Sequence, residues 1–178
     1  RHDCVEGWSC IGQWTGVRLS HVLRLVGAKP QARYVVFHCM DLMEEGAYRV
    51  PYYESVDMDD AYHEQTLLAW DLNGRPLPVE NGAPLRARIE RQLGYKQPKY
   101  VQRIELVDSF AALGRGRGGY WEDLGYTWYG GIWASPGFPA RPGLKGSMAI
   151  STPSGCCAKI RACATPGAPA MALPRSGA

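Results

Sequence analysis

The feature that most limits what this chain can fold into is a change of texture at Trp133. All 17 Asp and Glu residues of the 178-residue chain lie before it, whereas Lys and Arg continue to Arg175. Beyond it, Ala, Pro, Gly and Ser make up more than half of the residues and hydrophobic periodicity ends. Such a segment buries too little apolar surface to offset the entropy of ordering its backbone. Residues 134–178 are therefore expected to be a disordered or frame-shifted tail, and residues 1–133 to carry one domain with its own core.

The formal net charge of +3 belongs to that tail, because before Ala134 only 15 of the 20 Lys and Arg face the 17 acids. Charge thus gives nucleic-acid binding no support. No apolar run approaches the roughly 18–20 residues of a membrane-spanning helix. The cysteines form two trios, Cys4, Cys10, Cys39 and Cys156, Cys157, Cys163, without paired C-x-x-C spacing. Neither a structural zinc site nor a disulfide framework is expected from them.

Within the first 133 residues, Leu19 to Gly27 predicts an amphipathic helix with Leu19, Val22, Leu23 and Val26 on one face, Ser20 as N-cap and Gly27 as C-cap. Arg33 to Cys39 is β-branched and aromatic and reads as a strand. Asp57 can cap a helical turn through Tyr62. Thr66 to Leu72 reads as a strand before the turn signal Asn73-Gly74. Leu85 to Gln92 sets Leu85, Ala87 and Ile89 against Arg86, Arg88 and Glu90, the alternation of a half-buried strand. Tyr100 to Val107 reads as another strand. The Gly-, Trp- and Tyr-rich stretch that follows predicts irregular, aromatic-packed structure.

The opening sixteen residues, R-H-D-C-V-E-G-W-S-C-I-G-Q-W-T-G, suit neither a helix nor a strand. Their composition suits a tight loop that fixes one side chain. Taken alone, Cys4 reads as a small buried hydrophobe. Asn81-Gly82-Ala83-Pro84-Leu85-Arg86 followed by Gly94-Tyr95-Lys96 combines an amide, a forked guanidinium, a point charge and a glycine that lets backbone N–H groups approach an anion. Alone it reads as a hairpin loop with solvated charges.

Together these segments change the weighting. Cys4-Val5-Glu6-Gly7-Trp8-Ser9 with Trp14-Thr15-Gly16 and Leu19 resembles the molybdenum-cysteine loop of the sulfite-oxidase superfamily. The resemblance is nearest to its bacterial branch, which includes methionine-sulfoxide reductase catalytic subunits and cytochrome-b-associated sulfite-oxidase-like proteins. Gly118-Gly119-Tyr120-Trp121-Glu122-Asp123 with Gly125-Tyr126 and Trp128-Tyr129 is similar to the aromatic signature of that branch.

The resemblance covers roughly residues 1–132 and implies an α+β, mixed-sheet molybdopterin-binding domain of which this chain is a part, extending upstream of Arg1. It implies a molybdenum-molybdopterin cofactor, with Cys4 as metal ligand and catalytic centre. Arg86 and Lys96 would anchor the pterin phosphate, and Asn81, Gly94 and Tyr95 would complete the cofactor contacts. Cys39 stands where the family can carry a cofactor-contacting threonine, a departure that trades a hydroxyl for a weaker donor. The implied chemistry is two-electron oxygen-atom transfer, by sulfite oxidation or sulfoxide reduction, between a small-molecule oxo donor or acceptor and a haem or quinone electron partner. By family analogy the setting is periplasmic.

Other signals carry less. Gly114, Gly116 and Gly119 spell G-x-G-x-x-G, but Tyr120-Trp121 and not a helix pattern follows. One Gly-Arg-Gly-Arg-Gly-Gly beside Trp-Glu-Asp is a poor RNA element. Tyr52 to Ser55 with Asp57, Asp59 and Asp60 lacks the spacing of a calcium loop and reads as a solvated cap. A cysteine hydrolase pairing Cys4 with His38 or His63 lacks an orienting partner, and His38 reads as a structural histidine. The competing expectation is a non-catalytic fragment or interaction domain with a structural Cys4.

Overall fold

The computed structural model describes residues 1–132; the expectations for the tail fall outside the described residues. The chain begins with a two-stranded ribbon, β1 (His2–Asp3) against β2 (Ser9–Cys10), which pairs His2 with Cys10. A second sheet is built on β6 (Thr66–Leu72), which pairs with β3 (Trp14–Arg18), β7 (Arg75–Pro76) and β8 (Arg86–Ile89). The third sheet has β4 (Tyr34–Glu45) between β5 (Tyr48–Asp57) and β9 (Val101–Val107). The ladders between these strands are antiparallel. With the short helices α1 (Leu19–Leu25), α2 (Met58–Tyr62) and α3 (Tyr120–Asp123), the architecture is the expected α+β type.

Local chemistry explains most of these boundaries. Gly27 closes α1 at φ +67°, with its N–H on the Arg24 carbonyl and the Ala28 N–H reaching back to Leu23, a Schellman end. Ser20 is not the N-cap. Arg18 holds that position without a side-chain bond, and Ser20 is buried inside the first turn because the helix starts on the buried Leu19. Asp57 does cap α2, accepting from the Asp60 N–H at 2.8 Å. Asn73 and Gly74 both have positive φ and join Leu72 to Arg75 in a two-residue hairpin. Gly16 sits at a bulge of β3 where a Cβ would lie 2.1 Å from the Leu68 carbonyl, so the strand crosses β6 only without a side chain there.

One core lies between the two larger sheets and α1, and includes Leu19, Leu23, Val35, Phe37, Val56 and Ile89. Each such aliphatic or aromatic side chain contributes on the order of 1.5–3 kcal/mol by leaving water. A second, aromatic cluster of Tyr95, Tyr120 and Trp121 packs Met43, Val50, Tyr52 and Tyr126 around it, which meets the expectation for the aromatic stretch. Two elements differ from the sequence reading. Tyr52 to Ser55 is not a solvated cap but the inner end of β5, with Glu54 and Ser55 fully buried. And β8 is buried on both faces, so Arg86 and Arg88 do not face solvent.

Candidate functional site

The ribbon carries Cys4 at its turn. The Cys4 carbonyl accepts from the Gly7 N–H at 3.0 Å, the Cys4 N–H donates to Trp8 at 2.9 Å, and Gly7 adopts φ +88°. These backbone bonds fix the Cα–Cβ direction independently of the side chain. Cys4 is 6% exposed, and its Sγ lies 4.0 Å from the Glu6 carboxylate, which the Trp8 indole holds at 3.1 Å.

Beside the ribbon a cleft is lined by His2, Cys10, Gly12, Trp14, Asn81 and Arg86. Four separate stretches supply these groups: the ribbon, the segment entering β3, the turn before Gly82 and strand β8. Arg86 is 3% exposed and spends its donors on backbone carbonyls, Asn81 at 2.9 Å and Gln97 at 3.2 Å, with none to a carboxylate among the described residues. Its guanidinium stacks 4.9 Å from the Trp14 ring centroid. Burial, reinforced by neighbouring Arg88, brings Arg86 down to about 10. A buried cation so short of negative charge attracts an anion.

Arg88 points to the same place. Its guanidinium lies 5.8 Å from the Trp14 ring, bonds the Gln97 side chain at 2.6 Å, and pairs with Glu90 and the Arg1 carbonyl. His2 lies between these groups. Burial above all, with Arg86 and Arg88, depresses its imidazole to about 3, so it is neutral at physiological pH. Sequence reasoning missed Arg88, His2 and Trp14 as site residues. The i, i+2 spacing of Arg86 and Arg88 on one face of β8 was the available signal, once that face is known to be buried.

The other expected site residues separate from this cleft to different degrees. Gly94 packs against His2, and a Cβ there would lie 2.7 Å from the imidazole Nε2. Its role is close packing of the histidine. Tyr95 belongs to the aromatic cluster, its hydroxyl donating to the Thr127 carbonyl at 2.7 Å. Lys96 changes role: it is 1% exposed, and its ammonium is held between buried Glu54 and Glu122, at 2.6 Å from the latter. An ammonium already enclosed by two buried carboxyl groups is not available to a phosphate. Lys99, three residues on, is half-buried: its side chain lies against Gly82, next to Asn81 in the chain, with the ammonium on the Glu80 carbonyl at 3.0 Å.

Cys39 lies in the main core with Phe37 and Val101. Burial, with Asp41 and Glu54 adding, pushes its thiol up to about 12. In the folded chain Cys39 is therefore expected to resist alkylation at mildly alkaline pH and to react once urea exposes it. Site-resolved mass spectrometry checks this, and full labelling of Cys39 in the folded chain would remove it from the core. His38 is paired with Glu105 at 2.8 Å, the structural arrangement expected of it. Among the described residues no group of three or more His, Cys, Asp and Glu side chains is arranged to hold a metal ion.

The model of the oxidoreductase molybdopterin-binding domain family matches residues 3–112. A putative protein-methionine-sulfoxide reductase subunit of Azospira oryzae is 47% identical over 131 residues, 74% of this chain and 44% of that protein. The catalytic subunit of a protein-methionine-sulfoxide reductase of Xanthomonas campestris is 38% identical over 136 residues, 73% of this chain and 40% of its own length. The chain thus spans less than half the length of the curated relatives it matches. Among solved structures, the sulfane dehydrogenase SoxCD of Paracoccus pantotrophus superposes on 55% of this chain and 23% of its own, with 26% identity and a TM-score of 0.47.

Proposed function

Since the chain belongs to the oxidoreductase molybdopterin-binding domain family, we propose that the complete protein is a molybdenum-cofactor enzyme that reduces a methionine-type sulfoxide, with Cys4 as the protein's ligand to the metal. The family match over residues 3–112 carries this reading. The names of the relatives favour sulfoxide reduction over sulfite oxidation.

The residues present fit the group. Molybdopterin offers a heterocyclic edge and a phosphate, and the cleft offers the Asn81 amide and the carboxylate-poor cation of Arg86. When bound, the cofactor supplies the two-electron step that turns a sulfoxide, two protons and two electrons into a sulfide and water. Cys4 presents a soft sulfur donor from a backbone-fixed turn, suited to a metal already bound by sulfur. Arg86 and Lys99 supply cations for the phosphate, and Asn81 reads the pterin edge. The expected electron donor is a haem or quinone partner and the expected setting the periplasm, both on the resemblance.

The test is elemental and pterin analysis of the complete protein from a host that makes the cofactor. Near one molybdenum and one pterin per chain is the expected result. A folded protein free of both would overturn the proposal and leave a binding module with a structural Cys4.

A further inference from the structure

We propose that Arg88 and the Trp14 indole N–H, beside the His2 ring, complete the seat for the anionic end of the cofactor. This rests on the reading above and deepens it, because the cleft holds more anion-seeking chemistry than Arg86 alone.

The observation is a cluster of unpaired nitrogens. Trp14 Nε1, Arg88 Nε and His2 Nδ1 are all buried and without a hydrogen-bond partner. The first two can only donate, so only an acceptor satisfies them. Leaving such groups dry and unpaired is costly, and a folded protein retains them where a ligand or water completes the bonding. All three nitrogens belong to side chains packed around the same place: the indole lies under both guanidiniums, and His2 lines the same cleft as Trp14 and Arg86.

Charge agrees with geometry. Two guanidiniums converge, and among the described residues Arg88 is paired with one carboxylate, Glu90, and Arg86 with none. The buried group therefore carries an unmatched positive charge. An acceptor-rich monoanion or dianion of phosphate type matches both the charge and the donors. Gly12 keeps the indole edge open: a Cβ there would lie 2.9 Å from Leu72 Cδ1 and 3.5 Å from Trp14 Nε1. Gln97 sets the two guanidiniums, accepting from Arg88 with its side chain and from Arg86 with its backbone carbonyl. That makes Gln97 a positioning residue for the seat.

Trp14→Phe tests the assignment, because it removes the N–H and keeps an aromatic face under the guanidiniums. In the complete protein, prepared in a cofactor-competent host, molybdenum and pterin content is expected to fall about tenfold, and cofactor-free protein is expected to need about tenfold more inorganic phosphate for the same rise in melting temperature. The melting temperature without phosphate is expected to stay near that of the parent. Should Trp14→Phe lose its fold, Arg88→Lys, which keeps the charge and loses the fork, is read in the same two assays with the same expectation. Variants that load cofactor as the parent does, while the parent loads fully, would overturn the seat and leave the enzyme reading intact. Loss of phosphate response with normal loading would assign the seat to a free anion and overturn its cofactor role. A parent that binds neither metal nor pterin would remove both.

Discussion

Cys4→Ser in the complete protein is expected to lower the rate of sulfoxide reduction by at least ~100-fold while the fold survives. Altering groups that only support a metal's ligands already costs about 10–100-fold in affinity or activity, and losing a ligand costs more. A serine oxygen is a hard, weakly acidic donor and a poor replacement for thiolate on a sulfur-ligated metal. The turn itself does not depend on the side chain, because its two bonds run between backbone atoms of Cys4, Gly7 and Trp8. Steady-state rates with a sulfoxide substrate, read beside circular dichroism and metal content, check the outcome. Activity within tenfold of the parent would show that Cys4 is not the metal's ligand.

The second large effect is on stability. Lys96→Met is expected to destabilise the fold by about 3–5 kcal/mol, since it leaves Glu54 and Glu122 buried against each other without their shared cation. Glu54→Gln is expected to cost far less. Burial pushes the Glu54 carboxyl well above the usual range and the charge of Glu122 adds to this, while Lys96 opposes it. The folded chain therefore holds a proton on Glu54 that the unfolded chain releases, and the stability this gives is full in acid and is lost as pH rises toward the folded value. Urea melts at mildly acidic and mildly alkaline pH are expected to show that loss in the parent and a flatter response in Glu54→Gln. A Lys96→Met protein as stable as the parent would mean that the pair of carboxylates is relaxed by water or by a second proton.

The elements that could be read from sequence are those whose cause is local. Gly27 ends α1 by its own conformation, Asp57 caps α2 three residues away, and Asn73-Gly74 makes the hairpin that follows β6. The same local view misplaced Ser20, because burial of Leu19 and not a side-chain cap decides where α1 starts. It missed β5, whose Glu54 looks solvated until Lys96 and Glu122 arrive from 42 and 68 positions away in the chain. The site divided in the same way. Asn81 and Arg86 meet in one cleft, as the resemblance implied, whereas Lys96, Tyr95 and Cys39 turned inward to neighbours that spacing cannot reveal. Arg88, Trp14 and His2 escaped notice because their meeting is made by sheet pairing and not by any motif.

Strand β4 is longer than one of its partners. β9 follows it only from Tyr34 to Cys39, while Leu42 to Glu45 pair with β5 alone among the described residues. Among the described residues, Leu42 to Glu45 thus have no ladder partner on the β9 side, beside the exposed side chains of Met40, Leu42 and Tyr48. Such an edge is where sheets of two molecules fuse, and charged residues are the usual deterrent. Asp41, Glu44 and Glu45 make this edge a charged one, with Glu44 paired to Arg49 and Glu45 to Arg115, and ion pairs of that kind must be broken or desolvated before another strand can add there.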